Sequence, residues 1–313
     1  MRTHPLEENT VIPHTPDFLR KIFARKGIVL NKKYGQHILI DQNILSYIAT
    51  IASLQKDDVV LEIGTGTGSL TRFLAERAGH VFTVEIDNKL FELSSEILKL
   101  YKNITIINAD ILRSKHKLNA EVVTMITDWL VKNNNPVFKV VSNLPYNIST
   151  PVIINLLESN LPISLMVLML QKEITERLAA APGSREYGIL SVITQLFSEV
   201  ELMKTLPPEV FWPRPEVSSA IVKMSVNKAK FAGKITDYPL FTKIIFAIFT
   251  SRRKTLLNSI EKLRLPGVSR NELKKILISM QLDEHIRGEI LNLEQLLYLT
   301  EAIHTISRHG NAN

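Results

Sequence analysis

The sequence predicts an α/β protein, in which a parallel β-sheet is covered by helices on both faces and is followed by a smaller helical domain. Three observations carry this prediction. Short apolar runs alternate with segments of helical spacing from Val59 to Leu170. A glycine-rich turn, residues 64–68, closes the first apolar run. After about Asn227 only helical spacing remains. Strands separated by helices favour a parallel sheet with both faces buried.

The individual elements follow from periodicity and from breaker residues. Short apolar runs bounded by turn residues predict strands, and they are residues 59–63, 81–84, 104–107, 137–141, 165–170 and 220–224. Apolar residues at helical spacing predict helices, and these are residues 17–26, 69–77, 90–100, 120–132, 241–260, 270–280 and 291–306. A proline-rich loop is expected over 207–215.

Composition excludes several classes of protein. The 313 residues include no cysteine, which rules out disulfides, thiolate zinc sites, iron–sulfur clusters and cysteine nucleophiles. No apolar run approaches the ~20 residues of a membrane span, and the N-terminal sequence lacks the apolar region of a signal peptide. We therefore expect a cytoplasmic protein with no membrane partner. The net charge of +7 suggests a polyanionic partner, although a merely basic soluble protein remains an alternative.

The glycine turn indicates a bound nucleotide or nucleoside. In open α/β sheets, ligands bind beyond the carboxyl ends of the strands, and Gly64, Gly66 and Gly68 stand there. A dinucleotide motif would place its third glycine at Ser69, one residue later than Gly68. Glu62 suits a cationic cofactor better than a pyrophosphate. The turn therefore favours S-adenosylmethionine, with a nicotinamide-dependent oxidoreductase as the weaker alternative.

Two carboxylates end the next two predicted strands. Glu85 can accept hydrogen bonds from both hydroxyls of a ribose, and Asp110 can accept one from the amino group of an adenine. Glu85 would serve either cofactor, and each residue alone could be a solvated acid at a strand end. Together, after a glycine turn, they predict a nucleoside site.

The fourth predicted strand ends in Asn143, Leu144, Pro145 and Tyr146. The exocyclic nitrogen of adenine is a poor nucleophile until its lone pair is turned out of the ring plane. The side-chain oxygen of Asn143 and the carbonyl oxygen of Leu144 can accept its two N–H groups. Pro145 restricts the backbone of Leu144, and Tyr146 offers an aromatic face to a flipped base. An ordinary turn is the alternative for these four residues in isolation.

At this point the sequence resembles the ribosomal RNA small-subunit adenine dimethyltransferase family, of the KsgA type. The similarity runs from about Lys32 through nearly the whole chain. The matching motifs are Gly-Gln-His-Ile-Leu at 35–39, Glu-Ile-Gly-Thr-Gly-Thr-Gly at 62–68, Asn-Leu-Pro-Tyr at 143–146, Gln-Lys-Glu at 171–173, Pro-Gly-Ser at 182–184, Tyr-Gly at 187–188, Phe-Trp-Pro-Arg-Pro at 211–215 and Arg-Arg-Lys-Thr-Leu at 252–256.

The resemblance implies a Rossmann-like, seven-stranded S-adenosylmethionine methyltransferase sheet with a small C-terminal all-helical domain. It implies domains at residues 32–227 and 228–313, the latter binding RNA, after a basic extension at 1–31. The implied cofactor-binding residues are His37, Leu39, Gly64, Gly66, Glu85, Asp110 and Asn143. The implied catalytic residues are Asn143, Leu144, Pro145, Tyr146 and Phe211, the last as a second aromatic beside the target base.

The chain departs from the family pattern in three places. His37 and Ile38 replace the usual Asn-Phe, the connection 113–135 is longer than usual, and the N-terminal extension is extra. Both additions could be harmless surface insertions. Basic residues near the expected RNA face are Lys32, Lys33, Arg252, Arg253 and Lys254. The positive charges of the last three residues could instead interact favourably with the dipole at the end of a helix.

The implied reaction is N6,N6-dimethylation of two adjacent adenines near the 3′ end of small-subunit ribosomal RNA, with a role in small-subunit biogenesis. We expect a small-subunit RNA or pre-ribosomal particle as partner, no metal, and a monomer. Two alternatives stay open. One is the related large-subunit enzyme that confers macrolide resistance, and the other is an RNA-binding assembly factor with dispensable catalysis.

Overall fold

A computed structural model describes residues 15–31, 35–231 and 234–310. Its contacts divide the chain into two compact units. The first unit comprises the described residues up to Val152 together with 161–171 and 203–223. The second comprises 153–160, 172–202 and the described residues from Met224 onward. Each unit is therefore assembled from several stretches of the chain, and the domain boundaries at residues 31 and 227 stay a prediction.

A seven-stranded sheet organises the fold, as predicted. The strands in chain order are β1 (Ile38–Leu39), β2 (Val59–Ile63), β3 (His80–Glu85), β4 (Ile104–Asn108), β5 (Leu112–Ser114), β6 (Lys117–Leu118), β7 (Phe138–Asn143), β8 (Ile163–Gln171), β9 (Ser198–Leu206), β10 (Phe211–Trp212) and β11 (Ser219–Val226). The order in the sheet is β4-β3-β2-β7-β8-β11-β9. The pairings of β2 with β3 and β7, of β3 with β4 and of β7 with β8 are parallel. Two antiparallel pairs, β1–β10 and β5–β6, lie outside this sheet.

All six strands predicted from apolar runs are confirmed. Strand β9 was missed because it has no continuous apolar run, and the strands of two or three residues, β1, β5, β6 and β10, were missed as well. The helices are α1 (Pro16–Lys26), α2 (Gln42–Ile51), α3 (Ser69–Ala75), α4 (Asn88–Leu98), α5 (Ala120–Lys132), α6 (Ser149–Glu158), α7 (Lys172–Leu178), α8 (Ile189–Phe197), α9 (Tyr238–Thr250), α10 (Leu256–Glu261), α11 (Arg270–Ser279) and α12 (Leu293–Gly310). Short 3₁₀ turns cover 208–210, 228–231 and 288–290.

One predicted helix, residues 241–260, is wrong as a single element. Helix α9 ends at Thr250, and Ser251 leaves the helical region with φ −125° and ψ 40°. Thr255 then starts α10, because its hydroxyl accepts from the backbone N–H of Asn258 at 3.4 Å. Threonine is a favoured residue at a helix start because its oxygen satisfies an otherwise unpaired N–H. Apolar residues keep helical spacing on both sides of residues 251–255, so spacing alone did not reveal the break before Thr255.

The crevice of the first unit opens between β2 and β7. Strand β2 is buried at all five residues, as expected for a strand covered on both faces. Its pairing with β7 ends at Leu61 opposite Val140. Beyond that point the Ser142 hydroxyl donates to the Ile63 carbonyl at 2.7 Å and accepts from the Ile63 N–H at 3.3 Å. The strands separate here, and such a point is where open α/β sheets bind ligands.

A buried ion pair joins the opposite, amino-terminal ends of these two strands. Lys139 Nζ lies 2.6 Å from Asp58 Oδ2, and the two side chains are 11% and 3% exposed. The ammonium also donates to the carbonyls of Ala52 and Ser53. The carboxylate accepts from the N–H of Gln55 at 2.8 Å. The ammonium and the Asp58 Oδ2 oxygen are thus both compensated inside the protein.

Replacing Lys139 with methionine is expected to lower the free energy of unfolding by about 3 kcal/mol, because it leaves the Asp58 carboxylate buried without a cation. Urea unfolding followed by circular dichroism measures this loss. The double variant Asp58→Asn with Lys139→Met removes both charges and should recover most of it. Equal instability of the single and double variants would show that the ion pair is not the reason.

The second unit is built mainly of helices, as the spacing after Asn227 predicts. Its core is formed by buried apolar side chains of α8 to α12. The hydroxyl of the buried Tyr187 donates to the carbonyl of Leu291 at 3.1 Å. No helix in the described part of the chain combines the length and the apolar character that a membrane span requires.

Candidate active site

A cleft lies in the first unit at the carboxyl ends of the parallel strands. It encloses about 1240 Å³, its open mouth included. Most of its wall comes from the ends of four parallel strands and the residues after them, together with the segment that leads into β1. These are residues 62–67, 84–86, 109–111 and 143–148, and residues 35–39. The glycine turn, the two strand-end carboxylates and the Asn-Leu-Pro-Tyr segment therefore meet in one cavity. Among the described residues, no group of three or more histidines or acids has the arrangement of a metal site.

The glycine turn follows β2 and wraps the base of the cleft. Gly64 has φ +87°, and a Cβ there would lie 3.3 Å from the Pro145 ring. The turn and the Asn-Leu-Pro-Tyr segment are thus in close contact. Gly66 has φ +57°, and a Cβ there would meet no atom within 4 Å. Gly66 therefore borders open space, and glycine is needed for its left-handed backbone.

Glu85 ends β3 with both carboxylate oxygens held in place. Oε2 accepts from the Gly66 N–H at 2.8 Å, and Oε1 accepts from the Asp87 N–H at 2.9 Å. Burial raises the pKa of Glu85, and the backbone hydrogen bonds oppose that rise. Each carboxylate oxygen can accept a second hydrogen bond. Glu85 can therefore receive two ligand hydroxyls without giving up its own contacts.

Asp110 stands after β4 on the cleft wall and is exposed. Its Oδ1 accepts from the Leu112 N–H at 2.8 Å. Between Asp110 and Glu85 the wall is apolar, and it includes Ile86, which is 38% exposed, and the buried Ile111. Acceptors at two positions with apolar surface between them fit the polar edges and flat faces of a nucleoside. Sequence reasoning missed Ile86, because an apolar residue after a strand end carries no distinctive signal.

Glu62 lies beneath the glycine turn and is 1% exposed. Its Oε2 accepts from the hydroxyls of Thr71 and Thr83 at 2.5 and 2.7 Å. Burial raises the pKa of Glu62 to about 8 despite these hydrogen bonds. A carboxyl group with this pKa is largely protonated at pH 7, so the negative charge that the sequence suggests for Glu62 is expected only above about pH 8.

The Asn143 side chain is oriented by one hydrogen bond. Its Nδ2 donates to the His37 carbonyl at 3.1 Å, which leaves Oδ1 as an acceptor. The N–H of Leu144 donates to the Met169 carbonyl at 3.2 Å. Within residues 15–31, 35–231 and 234–310, neither Asn143 Oδ1 nor the Leu144 carbonyl oxygen receives a hydrogen bond. Two acceptors on consecutive residues are thus available beside the glycine turn.

Tyr146 is fixed by its hydroxyl, which lies 2.5 Å from the Ser219 hydroxyl. Its ring lies 5.2 Å from the His37 ring, tilted by 30°. The His37 Nδ1 in turn donates to the Pro213 carbonyl at 2.8 Å. The His37 backbone carbonyl and imidazole therefore support Asn143 and Tyr146, respectively. Both Ser219 and Pro213 are distant in sequence from the residues they hold, which is why sequence reasoning missed them.

Of the other predicted site residues, Leu39 lies on the cleft wall and Phe211 does not. Phe211 is 3% exposed in the core and pairs with Leu39 across β1 and β10. Lys32 and Lys33 fall outside the described residues.

The Arg252–Lys254 cluster belongs to the second unit. Arg252 Nε lies 2.6 Å from Glu289 Oε2, and the guanidinium also donates to the carbonyls of Ser184 and Arg185. Arg252 therefore ties together parts of its own unit. Arg253 and Lys254 are exposed and border an open, polar depression with Lys262.

Comparison with known proteins gives consistent results. The family model described as ribosomal RNA adenine dimethylase matches residues 28–298. The chain is 40% identical over 302 residues to the ribosomal RNA small subunit methyltransferase A of Halothermothrix orenii, covering 96% of this chain and 97% of that protein. The protein of the same name from Geobacillus kaustophilus is 37% identical over 292 residues, covering 92% of this chain and 96% of the relative.

Two solved structures have the same fold over most of the chain. A dimethyladenosine transferase from Plasmodium falciparum aligns with a TM-score of 0.70 at 25% identity, covering 86% of this chain and 98% of that one. The 23S rRNA methyltransferase ErmE aligns with a TM-score of 0.60, also at 25% identity, covering 85% and 99% of the two chains.

Proposed function

The chain belongs to the ribosomal RNA adenine dimethylase family, and from this membership and the geometry of the cleft we propose that it dimethylates N6 of two adjacent adenines near the 3′ end of small-subunit ribosomal RNA. S-adenosylmethionine is the proposed methyl donor. The observation that carries the proposal is the pair of unused acceptors, Asn143 Oδ1 and the Leu144 carbonyl oxygen, beside the glycine turn. The names of the curated relatives favour the small subunit over the large one.

The cleft residues fit the proposed cofactor. Glu85 keeps an acceptor position on each oxygen for the two ribose hydroxyls. Asp110 retains Oδ2 at the rim for the amino group of the cofactor's adenine, with Ile86 providing an apolar face for the ring. Gly66 borders open space, so a ligand can approach its backbone closely. When bound, S-adenosylmethionine supplies an electrophilic methyl group on a cationic sulfur.

The Asn-Leu-Pro-Tyr segment is proposed to present the target adenine. Accepting both N6–H groups on Asn143 Oδ1 and the Leu144 carbonyl turns the nitrogen lone pair out of conjugation with the ring. Tyr146, anchored through Ser219, provides the stacking face for an extruded base. As N6 takes the methyl group it becomes cationic and releases a proton to solvent, so no strong base is needed and positioning accounts for much of the acceleration. For the second methylation one N–H remains, and either acceptor can orient it. The proposal assigns no base-stacking role to Phe211, since it lies in the core.

The partner and setting follow from this proposal. We place the enzyme in the cytoplasm as a monomer acting on small-subunit RNA or a pre-ribosomal particle, with a role in small-subunit biogenesis. Lys32, Lys33, Arg253 and Lys254 are proposed to contact RNA phosphates, which position RNA without reading its sequence.

The function is tested by incubating the protein with immature small subunits and isotope-labelled S-adenosylmethionine, followed by mass spectrometry of digested ribosomal RNA. The expected product is labelled N6,N6-dimethyladenosine in the small-subunit RNA. Large subunits serve as the parallel substrate and should remain unlabelled. Label confined to the large subunit, or no label on either, would overturn the proposal.

A further inference from the structure

The connection that is longer than the family pattern contains a small, basic hairpin. Strands β5 and β6 pair antiparallel, with Leu112 opposite Leu118 and Ser114 opposite Lys117. Arg113, Lys115 and Lys117 are exposed, and the stretch from residue 111 to 120 contains no aspartate or glutamate. We call residues 112–118 the basic hairpin. Its charge differs from that of an ordinary solvated surface, where both signs are interspersed.

The basic hairpin is fastened to the rim of the cleft. It begins two residues after Asp110, whose carboxylate accepts from the Leu112 N–H at 2.8 Å. At its far end Asn119 donates from Nδ2 to the Asp110 carbonyl at 3.0 Å and from its backbone N–H to the Ile111 carbonyl at 2.8 Å. Ile111 is 3% exposed. The two ends of the hairpin are therefore tied to the strand end that carries a proposed cofactor residue.

Helix α5 follows the hairpin directly and connects it to the sheet. Asn119 begins this helix by accepting from the N–H groups of Glu121 and Val122. The helix packs on the sheet through Trp129, whose ring stacks on His80 at 4.6 Å and meets Phe82 edge-on at 5.7 Å. The hairpin thus has a fixed position relative to the cleft.

Two charges of the basic hairpin, those of Arg113 and Lys117, have no ion-pair partner in the part of the chain that the structure describes. None of the ion pairs found within the described residues involves Arg113 or Lys117. Arg113, Lys115 and Lys117 stand within five residues of one another. A polyanion laid along the hairpin would reduce the repulsion between their charges.

The distance from the basic hairpin to the proposed methylation site at Asn143 is one that a few nucleotides of RNA can span. Strand β4, which precedes the hairpin, lies three positions from β7 in the order β4-β3-β2-β7. Strands are spaced by about 4.8 Å, so the two strand ends are about 14 Å apart. At about 3.4 Å of helix axis per nucleotide in a stacked strand, this span corresponds to about four nucleotides. An RNA with its adenine at Asn143 can therefore bring flanking phosphates to the hairpin.

We propose that the basic hairpin binds the phosphate backbone of the RNA that flanks the target adenines, through Arg113, Lys115 and Lys117. This inference rests on the proposed function, since it takes the substrate to be RNA held at Asn143. The hairpin would position the RNA and contribute a salt-dependent part of the affinity without selecting sequence.

The test compares two charge-reversal variants of the full chain. Arg113→Glu with Lys117→Glu alters the basic hairpin. Lys99→Glu with Lys102→Glu makes the same charge change at the other, amino-terminal end of β4, where both lysines are exposed. Affinity for small-subunit RNA is measured by filter binding at several salt concentrations, and affinity for S-adenosylmethionine by calorimetry.

The hairpin variant is expected to bind RNA about tenfold or more weakly than the control variant, and its salt dependence should fall by about 1.5 in log–log slope, since each lost phosphate contact removes about 0.7 to 0.9. Its affinity for S-adenosylmethionine should match that of wild type. Equal RNA binding by the two variants would overturn the inference, as would a loss confined to cofactor binding. Failure of the wild-type protein to bind and methylate RNA would instead count against the proposed function.

Discussion

Alanine at position 143 is expected to lower kcat for adenine methylation by about a hundredfold to a thousandfold, the usual effect of removing one preorganised polar group from an active site. The substitution deletes Oδ1, the acceptor that the hydrogen bond from Nδ2 to the His37 carbonyl keeps aimed into the cleft. Only the Leu144 carbonyl oxygen would remain to orient the amine. Single-turnover methylation at saturating RNA and S-adenosylmethionine measures the effect.

Asn143→Asp is the informative companion to this variant. It keeps an oxygen acceptor but loses the Nδ2 donor, so the side chain is no longer held by the His37 carbonyl. We expect a rate between those of wild type and Asn143→Ala. Thermal unfolding of both variants should match wild type within a few degrees, since Asn143 is a half-buried residue at a strand end. Methylation at an unchanged rate by the alanine variant would remove Asn143 from the mechanism.

The Asn143→Ala variant also separates catalysis from RNA binding. The RNA contacts proposed for Arg253, Lys254 and the basic hairpin do not involve the Asn143 side chain. Asn143→Ala should therefore bind small subunits as tightly as wild type while it methylates them slowly. Equal activity of the two proteins would favour the assembly-factor alternative, in which the Asn-Leu-Pro-Tyr segment has no chemical task.

Sequence predicted those parts of the fold that local patterns determine. A strand covered on both faces must be apolar throughout, so β2, β7 and β8 were recognisable as runs. Strand β9 was missed since its residues are mostly exposed or half-buried. Helix α2 was missed although Asp41 caps it, accepting from the N–H groups of Asn43 and Ile44. An aspartate before an apolar segment is a recognised helix start, so α2 could have been predicted from Asp41.

The positions of the site residues could be predicted from the sequence. Their hydrogen-bond partners and protonation could not. Gly64, Glu85, Asp110 and Asn143 were recognisable because each lies at the end of a strand or just after it, and parallel strands bring their carboxyl ends together. The support of Tyr146 by Ser219 joins residues that are 73 positions apart and needs the folded chain. The protonation of Glu62 depends on its burial, which no local pattern reports.

That protonation leads to an expected decline in stability with rising pH. The pKa of Glu62 is raised from 4.5 to about 8 by burial. Between these values the folded protein holds a proton that the unfolded chain has released. The free energy of unfolding therefore falls as pH increases across this window, by at most about 1.4 kcal/mol per pH unit and by up to about 5 kcal/mol in total. The stabilising contribution is complete below pH 4.5 and lost above about pH 8.

Glu62→Gln should abolish this decline. The amide has nearly the same shape and keeps an oxygen that accepts from Thr71 and Thr83, but it cannot ionise. Urea unfolding of both proteins from pH 5 to pH 9 gives the difference in unfolding free energy at each pH, in which the titration of other groups cancels. The variant should be the more stable protein at pH 8 and above, where wild type must bury a carboxylate.

Glu92→Gln is the matched control, because Glu92 is an exposed glutamate on α4 of the same unit. This variant removes the same charge but leaves Glu62 buried, so it should keep the decline in stability that Glu62 causes. A constant difference between Glu62→Gln and wild type at every pH would mean that Glu62 is already ionised in the folded protein. Glu62 would then be a permanent negative charge beneath the glycine turn, as the sequence alone suggested, and the cleft would attract a cationic ligand equally at pH 6 and pH 9.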